Sequence, residues 1–464
     1  MKPATGLHRA IYAALLIAAA SATISAQTPT AKATVARIVD SLAKDFIATN
    51  GAPGVSIAVV RGRDTLVMNG WGLADLENNV PATAQSVYEI GSLTKQFTAS
   101  AVMQLVEQQR VKLDDSIGTY LSTLPAAWRV VTVRELLNHT SGIPSYTDVG
   151  QRWIRRWGEE MTPDTLVALT ASDSMMFKPG TSWRYDNSGY IVLGMLVEKL
   201  SGKSRAENIT DRFSKPLDLH NTLNCATTPI IPHRAHGYQP ATGSWENPPY
   251  LAMSQPYAAG ALCSTVGDVA KWDYDLGTGK VVSAASYTQM TTPTGAAVRA
   301  HYGFGLIQGS LAGHAMITHD GGIPGFASSN AWFPGDKLAI VVLSNSEVAK
   351  VDALLAQVAR AALGAPLLES HQRVAVSVGQ LARYVGVYAL KLGDNVRDFT
   401  VVVRDGVPYG QLAGQGANPL IPYGHDSFGM SFDPNLLLTF VVADGRASKV
   451  ILNQNGGTYE GLRK

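Results

Sequence analysis

The feature that most constrains this chain is a set of strand-forming stretches lying far apart along it. Val55–Val60 and Thr65–Trp71 flank the polar turn Arg61-Gly62-Arg63-Asp64, which is hairpin chemistry. Strand character then lapses until Ile317–Asp320, Ala327–Phe333 and Leu338–Leu343, the last two separated by the turn Pro334-Gly335-Asp336. Helical periodicity fills the intervals. Val35, Ile38, Val39, Leu42 and Phe46 mark a first helix ending before Asn50-Gly51, and Phe97, Ala101, Val102, Leu105 and Val106 mark a second beginning at Thr94. Residues 115–220 read as mostly helical and loop-rich, closing on a helix with Tyr190, Leu193, Val197 and Leu200. A last helix follows the late strands on Val351, Leu354, Leu355 and Val358. This order predicts an α+β fold: one antiparallel sheet whose N- and C-terminal portions pair, flanked by helices and carrying a helical subdomain.

Past residue 365 the pattern changes. Residues 366–375 read as a linker, and 376–464 carry short alternating segments such as Phe399–Val403 and Leu437–Val442, separated by Gly, Asp and Pro. They predict a small all-β C-terminal domain after a larger unit at 27–365. At the other end, Lys2 and Arg9 precede an uncharged apolar run, Ala10–Ala20, and a small-residue stretch to Ala26. Residues 1–26 are expected to be a secretory signal peptide, leading to the periplasm or the extracellular space. The run is too short to span a bilayer, and no later stretch reaches transmembrane length.

Loss of that segment removes Lys2 and Arg9, leaving 36 basic against 36 acidic residues, with no block of like charge. Nucleic acid is excluded as a partner. The ten His residues are scattered and no HExxH or CxxC occurs, so no metal site is expected. Cys225 and Cys263 follow the export signal; the expectation is one disulfide, the other reading being two buried thiols.

Three segments could carry chemistry. Ser92 and Lys95 stand three apart at the start of a helix, where hydroxyl and amine can touch. Serine becomes a nucleophile only when a base takes its proton, and lysine is such a base only if burial depresses its pKa. Tyr185 and Asn187 lie in a turn-rich segment before a helix, a phenol to relay a proton and a carboxamide to hold a carbonyl. The plainer reading is a core tyrosine beside a helix cap at Asn187 or Ser188. His319-Asp320-Gly321-Gly322 ends a strand, and its glycines admit close approach of another backbone, as an oxyanion hole requires; the plainer reading is a hairpin turn with a surface histidine.

In this order the three segments resemble the penicillin-binding-protein and class C β-lactamase superfamily of serine hydrolases, with its esterase, D-aminopeptidase and D-alanyl-D-alanine carboxypeptidase members. The stretches Thr132–Ile143, Gly260–Thr265 and Tyr302–Leu306 reinforce the likeness, which covers residues 32–365; residues 376–464 resemble the lipocalin-like domain often appended to such hydrolases. The resemblance implies Ser92 as acylated nucleophile, Lys95 as its base, Tyr185 as proton relay and Asn187 as holder of the substrate amide. It places His319, Asp320, Gly321 and Gly322 along the substrate, with the amides of Ser92 and Gly322 as oxyanion hole, and it implies no cofactor. His139 reads as structural.

The third segment departs from the usual Lys-Thr-Gly. His319 is charged only part of the time, and a carboxylate at Asp320 would repel an anionic substrate unless it points to the other face of the strand. The expected activity is hydrolysis of an ester or peptide whose recognised group is neutral or cationic. The alternatives are a β-lactamase or D-alanyl-D-alanine carboxypeptidase, and a non-catalytic protein that binds peptides or peptidoglycan fragments.

Overall fold

Gly54–Arg61 and Leu338–Ser344, two fully buried apolar runs apart from their ends, lie side by side and antiparallel in the computed structural model, with Val55 opposite Ser344 and Arg61 opposite Leu338. The structure describes residues 31–464 except 50, 369–373, 393–394, 425, 431–432 and 455–456, so the signal-peptide segment 1–26 lies outside the described residues, as does part of the 366–375 linker. The seven-stranded sheet runs Val80–Pro81, Asp64–Asp75, Gly54–Arg61, Leu338–Ser344, Phe326–Phe333, His314–Ile323, Ile307–Leu311. Every neighbouring pair is antiparallel.

The central strands read as unbroken apolar runs because both faces are covered. Val55, Ile57, Val59, Ile340 and Val342 face the first helix, Ala31–Ala48, and the last helix, Val351–Leu363. Ala58, Val341 and Leu343 belong to the other core, which includes Phe97 and Val102 of helix Thr94–Glu107, Ile191 and Leu193 of helix Asn187–Ser201, and Trp272 of helix Val266–Gly277. The edge strand Ile307–Leu311 was not anticipated: its sequence, Ile-Gln-Gly-Ser-Leu, is polar because only one side of an edge is packed. The expected hairpin strand also runs beyond Trp71 to Asp75, where it pairs with Val80–Pro81.

Eight strands from Gly386–Leu392 to Gly457–Arg463 close into an antiparallel barrel. Its core is built from residues between Leu381 and Leu452, including Tyr388, Phe399, Phe428, Phe440 and Val450.

Candidate active site

Ser92 sits in a single 3₁₀ turn, Gly91–Leu93, that runs directly into helix Thr94–Glu107. Gly91 is required there twice over. Its φ is +49°, and a Cβ would stand 3.0 Å from Gly322 N. Gly321 is equally constrained, since a Cβ on it would meet Ile90 O at 2.3 Å, Ser328 Oγ at 2.4 Å and Ser92 N at 3.0 Å. The backbone of the His314–Ile323 strand is thus pressed against the turn that carries Ser92.

Lys95 is fully buried, and its Nζ donates to Ser92 Oγ at 3.0 Å, Asn187 Oδ1 at 2.8 Å and the Ala259 carbonyl at 2.8 Å. Among the described residues no carboxylate touches it. Burial draws its pKa down to about 7, with the charges of Asp186 and Asp320 partly restoring it. The amine also lies 4.8 Å from the Tyr185 ring centroid and 5.4 Å from that of Tyr190.

Asp186, not Asn187 or Ser188, caps helix Asn187–Ser201, its Oδ2 accepting from Gly189 N at 3.0 Å and Ser141 Oγ at 3.2 Å. Asn187 is thereby released for the site. Its Nδ2 donates to Thr147 Oγ1 at 3.1 Å while its Oδ1 receives the lysine, so the carboxamide's orientation is set on both sides. The Tyr185 hydroxyl is buried and meets no hydrogen-bond partner among the described residues; burial pushes its pKa far up, the neighbouring Ser92 hydroxyl offsetting this in part. His139 lies beneath it with ring centroids 4.4 Å apart, in a left-handed backbone conformation (φ +61°), its Nδ1 accepting from Asp186 N at 3.2 Å.

His319 is buried rather than at a surface turn. Its Nδ1 stands 2.6 Å from the Asp320 carbonyl and therefore carries the proton, leaving Nε2 to accept from Tyr302 Oη at 2.9 Å. Burial and the nearby Lys95 lower its pKa to about 3. The expectation of a partly charged imidazole is corrected accordingly: the ring is neutral. Asp320 pairs with Ser329 across the ladder, whereas Gly321 pairs with Ser328 on the face that meets Ser92. Asp320 is exposed and lies on the opposite face, where it acts electrostatically on Asp352 as well as on Lys95. Alternation along the strand thus takes the second of the two directions left open for this carboxylate, although its charge still reaches Lys95, Tyr185 and Tyr302.

The structure thus brings Ser92, Lys95, Tyr185, Asn187, His319, Gly321 and Gly322 together and turns Asp320 aside. Sequence reading missed Ala259, Thr147, Asp186 and Tyr302. Of these Asp186 and Tyr302 lay in segments already singled out; Ala259 and Thr147 act through a carbonyl and a hydroxyl that no spacing marks. Away from this site Cys225 and Cys263 are bonded, their Cα atoms 5.0 Å apart, where Cys263 lies on the strand paired with Leu223–Asn224. Among the described residues Asp75, Glu77 and His236 gather within reach of one another, but Asn78, Tyr238 and Asn247 already occupy the two carboxylates.

Comparison with known proteins bears on the family and the fold. Penicillin-binding protein 4* of Bacillus subtilis (strain 168) is 26% identical over 439 residues, spanning 88% of this chain and 94% of its own. The octameric penicillin-binding protein homologue of Pyrococcus abyssi superposes with a TM-score of 0.63 at 25% identity, over 91% of this chain and 99% of that one. The D-amino acid amidase of Ochrobactrum anthropi SV3, solved with L-phenylalanine amide, gives 0.63 at 25% identity over 71% and 99%. The Beta-lactamase family model matches residues 39–364, and the chain belongs to that family of serine hydrolases.

Proposed function

We propose that this protein is an exported hydrolase that cleaves an acyl ester or amide through an acyl-enzyme at Ser92. The observation that carries the reading is the buried Lys95 amine, held 3.0 Å from Ser92 Oγ and matched by no carboxylate contact among the described residues. With a pKa near 7 it is available as a free base at neutral pH, whereas burial keeps the Tyr185 phenol protonated. The division of labour follows. Lys95 takes the Ser92 proton, Oγ bonds to the carbonyl carbon, and the oxyanion is received by the amides of Ser92 and Gly322. The proton returns from Lys95 by way of Tyr185 to the leaving oxygen or nitrogen as its bond to carbon breaks; water then repeats the sequence on the acyl-enzyme. Asn187 holds Lys95 in place and has one amide hydrogen left for the substrate.

The third segment offers no permanent cation, since burial keeps His319 neutral. That favours a substrate whose recognised group is uncharged or cationic over one recognised by its carboxylate. The test is intact-mass measurement after exposure to a fluorophosphonate and, separately, to a penicillin. One adduct on wild type and none on Ser92→Ala is expected with the first reagent, together with loss of ester turnover. Turnover near wild type in Ser92→Ala would refute the nucleophile, and rapid turnover of the penicillin would favour a β-lactamase.

A further inference from the structure

Behind the third segment one carboxamide joins three elements. Asn330, buried on strand Phe326–Phe333, is the cross-strand partner of His319. Its Oδ1 accepts from the His319 backbone N–H at 3.1 Å and from Gln96 Nε2 at 3.1 Å, and its Nδ2 donates to Asp273 Oδ1 at 2.5 Å. Gln96 follows Lys95 on the nucleophile helix and accepts in turn from Trp272 Nε1 at 3.0 Å. Asp273 is buried on helix Val266–Gly277, and its Oδ2 meets no donor among the described residues.

We propose that Asn330 is a positioning residue for the reaction at Ser92, tying the third-segment strand to the nucleophile helix, with Asp273 as its anchor. The inference rests on the Ser92 reading. A carboxamide is the side chain suited to the position. One oxygen must take two donors from different elements while an N–H faces a carboxyl, and only Asn or Gln offers both on one planar group. The need for a fixed strand is visible two residues on, where Gly321 has no space for a Cβ between Ile90 O, Ser328 Oγ and Ser92 N. The joint between strand and nucleophile turn has no slack, so a small slide of the strand moves the Gly322 amide off the position of the oxyanion. Misplacements of about 1 Å can cost on the order of 100-fold in rate. Asp273 makes no ion pair among the described residues, and burial raises its pKa well above the ordinary carboxylate value, so the Asn330 N–H is the donor that satisfies it.

The test reads kcat and KM on a neutral acyl ester, per active site counted with a fluorophosphonate, beside thermal denaturation of each variant. Asn330→Leu is expected to lower kcat roughly tenfold or more with KM within about threefold, the signature of an interaction expressed in the transition state. Asp273→Asn keeps the size and the acceptor oxygen and is expected to stay within about threefold of wild type. Asn330→Asp sets two carboxyls against each other and should lose kcat; adding Asp273→Asn reverses donor and acceptor and should restore most of it. If Asn330→Leu does not fold, the Asn330→Asp single and double variants decide. Folded variants that lose melting temperature but keep kcat per active site, or a double variant no better than the single, would overturn the proposal. A wild type that neither labels nor turns over would instead overturn the Ser92 reading.

Discussion

At the residue scale the outcome turns on how burial acts on titratable groups. Lys95 and His319 both lose affinity for protons on desolvation, but the consequences differ: the amine becomes a usable base and the imidazole a neutral hydrogen-bonded wall. Since the reaction needs the free amine, kcat/KM on a neutral ester should fall as pH drops through about 7. Asp186, whose own pKa burial pushes up to about 7, raises the Lys95 pKa where it is ionised, so Asp186→Asn, which keeps a capping side chain, should move this acid limb to lower pH. A pH profile of both proteins checks it; an unmoved limb would mean that another group titrates there. Ser92 and Lys95 were legible in the sequence because one helical turn separates them. Whether the lysine was a base or an ordinary surface cation was not, since that depends on how far the fold buries it.

At the element scale the close joints are made by backbone. The Gly321 Cβ position is filled by Ile90 O and Ser328 Oγ, so Gly321→Ala should destabilise by about 1–3 kcal/mol, as overpacking does. It should also cut acylation more than the melting point alone accounts for, because the atom displaced borders Ser92 N. Measured labelling rates in the folded variant settle whether it does. The Cys225–Cys263 bond closes a loop of sequence separation 38, which corresponds to about 4 kcal/mol by loop entropy. Replacing both with Ala should lower stability by up to that amount in a denaturant titration, and the denatured wild type should show no free thiol. The glycine pair at 321–322 signalled close approach in the sequence. The direction of Asp320 did not follow from it, because a two-residue period fixes alternation but not which face meets the nucleophile.

For the whole molecule, the C-terminal barrel has its own core between Leu381 and Leu452, and every residue placed in the candidate site precedes Gly364. A chain ending at Gly364 is expected to fold and still accept a fluorophosphonate on Ser92; an insoluble or unlabelled product would mean that the barrel completes the core or the site. The late strands' pairing with the first hairpin, the helix that presents Ser92, and the all-β C-terminal segment were all readable from hydrophobic period and turn chemistry, because those signals are local and each records one buried face. The polar edge strand Ile307–Leu311 was not, since an edge is packed on one side only and leaves little apolar signal. Nor were Ala259, Thr147, Tyr302 and Asn330. Their contributions are hydrogen bonds between residues far apart in the chain, some through backbone atoms that every residue carries. The sequence by itself determined which side chains could do chemistry and which elements would carry them. Only the tertiary structure decided their protonation and their direction, because both depend on which groups exclude water around each one and on which face of the sheet the chain presents.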